Sequence, residues 1–129
     1  MAATRVLLVD DDPKFASVVR TVLEDDGYHV VAVIESAEAV DAAVGEHGPD
    51  VVVLDLVLAD GDGLEVAEGL RAAGHRAPVV LFSSLFDQRI ARETLESGYG
   101  YVEKAAGLEA LEMAIEGVID LRDERLSAD

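Results

Sequence analysis

The chain has 129 residues, half of them hydrophobic, and 27 acidic against 10 basic side chains give it a formal charge of −17. Such a length suits one domain with a real core, and the hydrophobic share excludes a disordered acidic tail. Binding to nucleic acid or an anionic membrane draws on clustered Lys and Arg, which ten scattered basic residues do not supply.

There is no cysteine, hence no disulfide framework and no thiolate metal site, as in a reducing compartment. No apolar run approaches the ~18–20 residues of a membrane span. The N-terminus, MAATRVLLVDDD, turns acidic at once and lacks a signal-peptide layout. A soluble, cytoplasmic protein is expected.

Strand-like and helix-like stretches alternate five times. Residues 5–9 (RVLLV) form the first strand, with Asp10 and Asp11 at its carboxyl end. Asp12 and Pro13 then read as N-cap and N1 of a helix that Gly27 stops, with Phe15, Val18, Val19, Val22 and Leu23 as its inward stripe. A second, more mixed strand covers 28–34, and Ser36 is placed to cap a helix ending near Gly48-Pro49. The third strand, 50–55, carries VVVL and ends on Asp55. Asp62 with Glu65 resembles a capping box for a helix that ends at Gly74. The fourth strand, 77–82, is followed by Ser83 and by a helix over roughly 86–97. The fifth, 99–103, is followed by Lys104, and Leu108, Leu111, Ile115, Val118 and Ile119 then share one face of the last helix.

Runs such as VVVL and PVVLF are apolar throughout, as in parallel strands covered on both faces. Five β–α units imply a three-layer, doubly wound α/β sandwich, whose ligands bind beyond the carboxyl ends of the strands. Asp10, Asp11, Asp55, Ser83 and Lys104 all belong to that edge. Three carboxylates in one small volume repel unless a cation shares them. A hard divalent ion, acting on an oxygen-rich group such as phosphate, is the expected partner.

VLLVDDDP, PDVVVLDLVLADGDGLEV, PVVLFSS and GYVEK together resemble, in order and spacing, the receiver domains of two-component response regulators. The resemblance runs from about residue 4 to 122. It implies a flavodoxin-like (βα)5 fold with strand order 2-1-3-4-5, and a single receiver domain over 1–129 with no effector domain. It makes Asp55 the phospho-acceptor, attacking the phosphorus of a phosphohistidine presented by a sensor histidine kinase or a histidine phosphotransfer protein. Mg²⁺ would be held by Asp11 and Asp55, by Asp10 chiefly through water, and by the Val57 carbonyl. Lys104 would pair with the phosphoryl oxygens and Ser83 would hydrogen-bond them, while Tyr101 moves inward with Ser83 as the switch. Helix 4, strand 5 and helix 5 would meet a downstream target or a second copy. On the last helix a second face of Ala110, Met113, Ala114, Gly117 and Leu121 permits such an approach.

Several positions depart from the family pattern. Ala105 replaces the proline that usually follows the lysine, and a cis bond to alanine costs ~3–4 kcal/mol. A trans Lys104–Ala105 bond and a shifted loop are therefore expected. Ala59 replaces a proline after the acceptor, where Gly61 and Gly63 would leave the loop flexible. Val57 and Leu85 occupy the positions that tune hydrolysis; both are apolar and orient no water, which implies a long-lived phosphoryl group. The three histidines lack metal-ligand spacing and read as surface residues.

Other readings compete with this one. Asp10 and Asp12 form the D-x-D of a haloacid-dehalogenase-type Mg²⁺ phosphohydrolase, yet Asp55 would then have no role and no cap is recognisable. A pseudo-receiver would fold and bind without being phosphorylated. An FMN protein of similar architecture would need a phosphate loop where the chain has aspartates.

Overall fold

The fully apolar runs occupy the middle of one parallel sheet, as their lack of alternation requires. The computed structural model describes residues 2–85 and 87–128. Its sheet contains β1 (Arg5–Val9), β2 (His29–Ile34), β3 (Val51–Leu54), β4 (Val79–Ser83) and β5 (Gly100–Glu103), in the order β2-β1-β3-β4-β5. Every neighbouring pair is parallel, with Leu8 opposite Val53, Val53 opposite Val80 and Leu81 opposite Tyr101. From β1 the chain steps to β2 on one side and then to β3 on the other. That reversal opens the crevice in which Asp10 and Asp55 emerge side by side.

Successive strand residues face opposite layers, and the helices complete them. Val6, Leu8, Val53, Val80 and Phe82 pack with α1 (Pro13–Asp25) and α5 (Leu108–Ala128), chiefly Ala16, Val19, Leu23, Leu111 and Ile115. Leu7, Val9, Val52, Leu54 and Leu81 pack on the other face with α2 (Val40–His47) and α3 (Gly63–Ala72). α4 (Gln88–Glu96) buries only Thr94 completely, with Ile90 packed partly against the same layer. No helix among the described residues is long and apolar enough to cross a membrane.

Most of the expected punctuation holds. Asp12 caps α1, its Oδ1 accepting from the Lys14 and Phe15 amides at 3.1 and 3.2 Å. Gly48 and Gly98 are left-handed, after α2 and α4 respectively. Phe86, the first residue assigned to the fourth helix, lies outside the described residues; Asp87 is the N-cap of α4.

Four expectations need correction. Val18 is 54% exposed, and Ala16 takes its place in the buried stripe, because Ala16, Val19 and Leu23 are the residues one turn apart that face the sheet. Ser36 caps nothing: α2 begins at Val40 without a side-chain cap, and the amides of Ala37 and Glu38 donate instead to the carboxylate of Asp60 at 2.8 and 3.2 Å. Those two bonds hold the Asp60 carboxyl below its ordinary range. Asp62 caps α3 through the Leu64 amide at 2.8 Å, but among the described residues Glu65 accepts no hydrogen bond in return, so the capping box is not formed. The segment after Asp55 is an antiparallel hairpin, Val57 opposite Asp62 and Leu58 opposite Gly61. Its glycines serve close approach. A Cβ on Gly63 would clash with the Asp55 carbonyl oxygen, and one on Gly61 would lie 2.9 Å from the Ala37 Cβ.

Candidate functional site

β1 and β3 are buried along almost their whole length, so their carboxyl ends have little freedom to move. The Asp10 amide donates to the Ile34 carbonyl and the Asp55 amide to the Val9 carbonyl, at 3.0 and 2.9 Å, extending the ladder into the site. Asp10 is 2% exposed and Asp55 8%, whereas Asp11 faces solvent. Each of the three offers a carboxylate oxygen, and these oxygens lie within 4.8 Å of one another.

Lys104 reaches this cluster from the end of β5. Its Nζ donates to Asp10 Oδ2 at 2.9 Å and Asp55 Oδ2 at 3.1 Å. The same ammonium sits 4.4 Å from the centre of the Phe15 ring, which packs on Phe82 at 5.8 Å. Three further oxygens are also held: Asp10 Oδ1 accepts from the Asp12 amide, Asp55 Oδ1 from the Val57 amide and Asp11 Oδ2 from the Ala59 amide. The Lys104–Ala105 bond is trans, as expected. Lys104–Ala106 makes one 3-10 turn, and the lysine keeps its reach without the proline.

Two opposing effects set the charge state. Burial pushes the Asp55 carboxyl up, and Asp10 adds to this, while Lys104 and the Val57 amide pull it down without fully offsetting the burial. Burial by itself would lower Lys104, but its hydrogen bonds to Asp10 and Asp55 outweigh that and hold its proton more firmly than usual. One ammonium facing three carboxylates leaves net negative charge in a mostly buried space. The donor set, all hard oxygens with one ligand open to water, fits an ion of the Mg²⁺ or Ca²⁺ kind.

Among the described residues neither Ser83 nor Tyr101 hydrogen-bonds the carboxylates. Ser83 is fully buried, and its Oγ accepts from the Leu85 amide at 3.1 Å. The Tyr101 hydroxyl donates to the Leu85 carbonyl at 2.8 Å. Both therefore hold one residue of the β4–α4 loop, by its two backbone groups. Val57 and Leu85 are exposed and border a cleft of about 570 Å³ that also takes in Leu64 and Ile90. His29 is exposed, His47 and His75 are half-buried, and His75 pairs with Asp41 at 2.8 Å.

Some of the site was missed in the sequence. Phe15 counted only as a core residue, and nothing local links it to a lysine after β5. The Ala59 amide and the Asp60 carboxylate tie the hairpin to Asp11 and to the β2–α2 turn. Only the hairpin geometry makes those ties.

The comparisons agree with this geometry. Relatives include the transcriptional regulatory protein KdpE of Mycobacterium tuberculosis, 39% identical over 107 residues, which are 82% of this chain and 46% of the relative. A protein-glutamate methylesterase/protein-glutamine glutaminase of Trichodesmium erythraeum is 32% identical over 90% of this chain and 34% of its own length. The chain thus spans half or less of the length of these curated relatives. Among solved structures, a two-component response regulator of the LuxR family from Aurantimonas superposes with a TM-score of 0.85 at 31% identity, covering 92% of this chain and 86% of that one. The family model described as the response regulator receiver domain matches residues 6–116. By its sequence, its sheet order and the carboxylates at the ends of β1 and β3, the chain belongs to the receiver-domain family of response regulators.

Proposed function

We propose that the chain accepts a phosphoryl group on Asp55 and converts that event into a changed protein-binding surface. The observation that carries the reading is the buried pairing of Asp55 with Lys104 beside Asp10 and Asp11, at the point where strand order reverses. An Asp55 oxygen attacks the phosphorus of a phosphohistidine. An O–P bond forms as the P–N bond breaks, and the imidazole keeps the electron pair and takes up a proton. Lys104 then follows the phosphoryl oxygens, and Asp10 keeps a cationic partner only to the extent that the ion replaces it. Mg²⁺ held by Asp11, Asp55, the Val57 carbonyl and, through water, Asp10 would supply the positive charge that lets two anions meet.

The Leu85 contacts support a route outward. If Ser83 turns its hydroxyl to the phosphoryl group, the Leu85 amide loses its acceptor. Tyr101, which holds the Leu85 carbonyl, then loses a fixed partner. Each state is one arrangement of a pre-existing equilibrium that phosphorylation biases. The face that would change carries exposed Leu95, Met113 and Leu121 on α4 and α5, suited to a downstream protein or a second copy. A sensor histidine kinase or histidine phosphotransfer protein is the donor class. The apolar Val57 and Leu85 at the mouth favour a long-lived phosphoryl group.

Incubation with acetyl phosphate and Mg²⁺ tests the reading by intact mass. One phosphoryl group is expected on the wild type, and none on Asp55→Asn or in EDTA. If a suitable donor kinase also fails to phosphorylate the wild type, the chain is a binding module that receives no phosphoryl group.

A further inference from the structure

Arginines gather at the opposite end of the sheet. There a cavity of about 280 Å³ opens between the end of α3, the starts of β4 and β5, and the second half of α5. Arg71, Arg76, Arg122 and Arg125 all line it, which gathers four of the chain's ten basic residues into one place on a molecule of charge −17. Their backbones belong to elements far apart in sequence, so only the fold brings them together.

The guanidinia differ in how far they are used. Arg122 pairs with Asp123 at 3.2 Å and donates to the Asp50 carbonyl at 3.3 Å. Arg71 donates one N–H to the Ser97 carbonyl at 2.6 Å and lies 4.4 Å over the Tyr99 ring. Among the described residues neither Arg71, Arg76 nor Arg125 forms an ion pair with a carboxylate. Arg71 and Arg125 flank Gly98 closely: a Cβ built there would lie 3.7 Å from a terminal nitrogen of each. Converging like charges are unfavourable unless an anion shares them.

Tyr99 lines the same cavity and is 6% exposed, with the Glu68 carboxylate beside its hydroxyl. The four guanidinia outnumber Glu68 and the Asp123 carboxylate that meets Arg122, so the cavity keeps a net positive charge for an anion to share. The walls below the arginines are aliphatic, formed by Leu70, Val79 and Val118.

We propose that this cavity is a binding site for a small organic phosphate, one phosphate monoester on a compact apolar body. Guanidinia offer paired N–H donors that match phosphate oxygens. The aliphatic walls take the body of the ligand, and Tyr99 lies beneath its head. At about 280 Å³ the cavity is at the small end of ligand pockets, too small for a dinucleotide. The site is separate from Asp55 and needs no divalent cation.

The test is an NMR titration of the ¹⁵N-labelled chain in EDTA at constant ionic strength, with phenyl phosphate and with inorganic phosphate as probes. Saturable shifts are expected at the Gly98 and Tyr99 amides and the arginine Nε–H groups, with phenyl phosphate binding more tightly. The double variant Arg76→Gln/Arg125→Gln, which removes no hydrogen bond seen here, is expected to bind at least about tenfold more weakly, the order lost with one charge-assisted bond. Asp55→Asn is expected to bind unchanged. No saturable shift, an unaltered affinity in the double variant, or the same shifts with chloride would overturn the site. Equal affinity for the two probes would overturn the apolar body.

Discussion

The two sides of the proposed phosphoryl site are built to different standards. On the acceptor side, Asp10 and Asp55 stand on β1 and β3, strands with neighbours on both edges and helices on both faces. Each carboxylate oxygen of these two residues has a hydrogen-bond partner. On the reporting side, α4 buries one residue fully, and the β4–α4 loop is tied at Leu85 by one bond from Ser83 and one from Tyr101. Phosphoryl transfer needs atoms held in place, whereas a signal needs an element of low local stability. The proposed function makes both demands, and the molecule places the rigid and the loosely tied parts on opposite sides of the site.

The largest expected effect probes the acceptor side. Lys104→Ala leaves Asp10 and Asp55 buried without their cation, and loss of one partner of such a pair costs about 3–5 kcal/mol. Urea denaturation near neutral pH should show it, with Mg²⁺ restoring part of the loss by binding only the folded state. A cost below about 1 kcal/mol would mean that the site is wetter than its burial implies. A paired substitution sharpens the contrast between the sides. Leu54→Ala, in β3 and fully buried, should cost about 2–5 kcal/mol. Leu95→Ala, 59% exposed on α4, should change stability by no more than about 0.5 kcal/mol. Similar costs would contradict the division.

A smaller effect lies outside both sides and checks that they are separable. Between α1 and α5, one buried carboxylate oxygen of Glu112 accepts no hydrogen bond among the described residues, and the group faces Asp26, with Glu109 and Glu116 nearby. Burial first, and then these carboxylates, raise its pKa to about 7. The folded state therefore binds this proton more tightly than the unfolded one. The stabilisation is complete below the ordinary glutamate range near 4.5 and is lost as pH rises through about 7. Glu112→Gln should flatten that slope in thermal melts and leave phosphoryl uptake unchanged. An unaltered slope would assign the pH dependence to other groups.

The sheet, its order and the acidic cluster were legible because they rest on local signals. Unbroken apolar runs mark buried parallel strands, and a carboxylate after such a run must stand at the strand's end. Asp12 could be set apart as a cap because proline follows it. What escaped notice depends on groups that meet only in the folded chain. Asp60 supplies hydrogen bonds that a local rule assigned to Ser36. Gly63 is small because the Asp55 carbonyl is next to it, not because the loop is loose. Phe15 lies against Lys104, and arginines of α3 and α5 face each other, through packing that periodicity does not reveal.

The central claim is that Asp55, and not its neighbours on β1, takes the phosphoryl group. Borohydride reduction of the phosphorylated chain converts an aspartyl phosphate to homoserine, and peptide mass spectrometry then locates it. The expected result is homoserine at position 55 alone, with Asp10, Asp11 and Asp12 intact. Homoserine at position 10 would contradict the account and make the D-x-D of Asp10 and Asp12 the reacting pair.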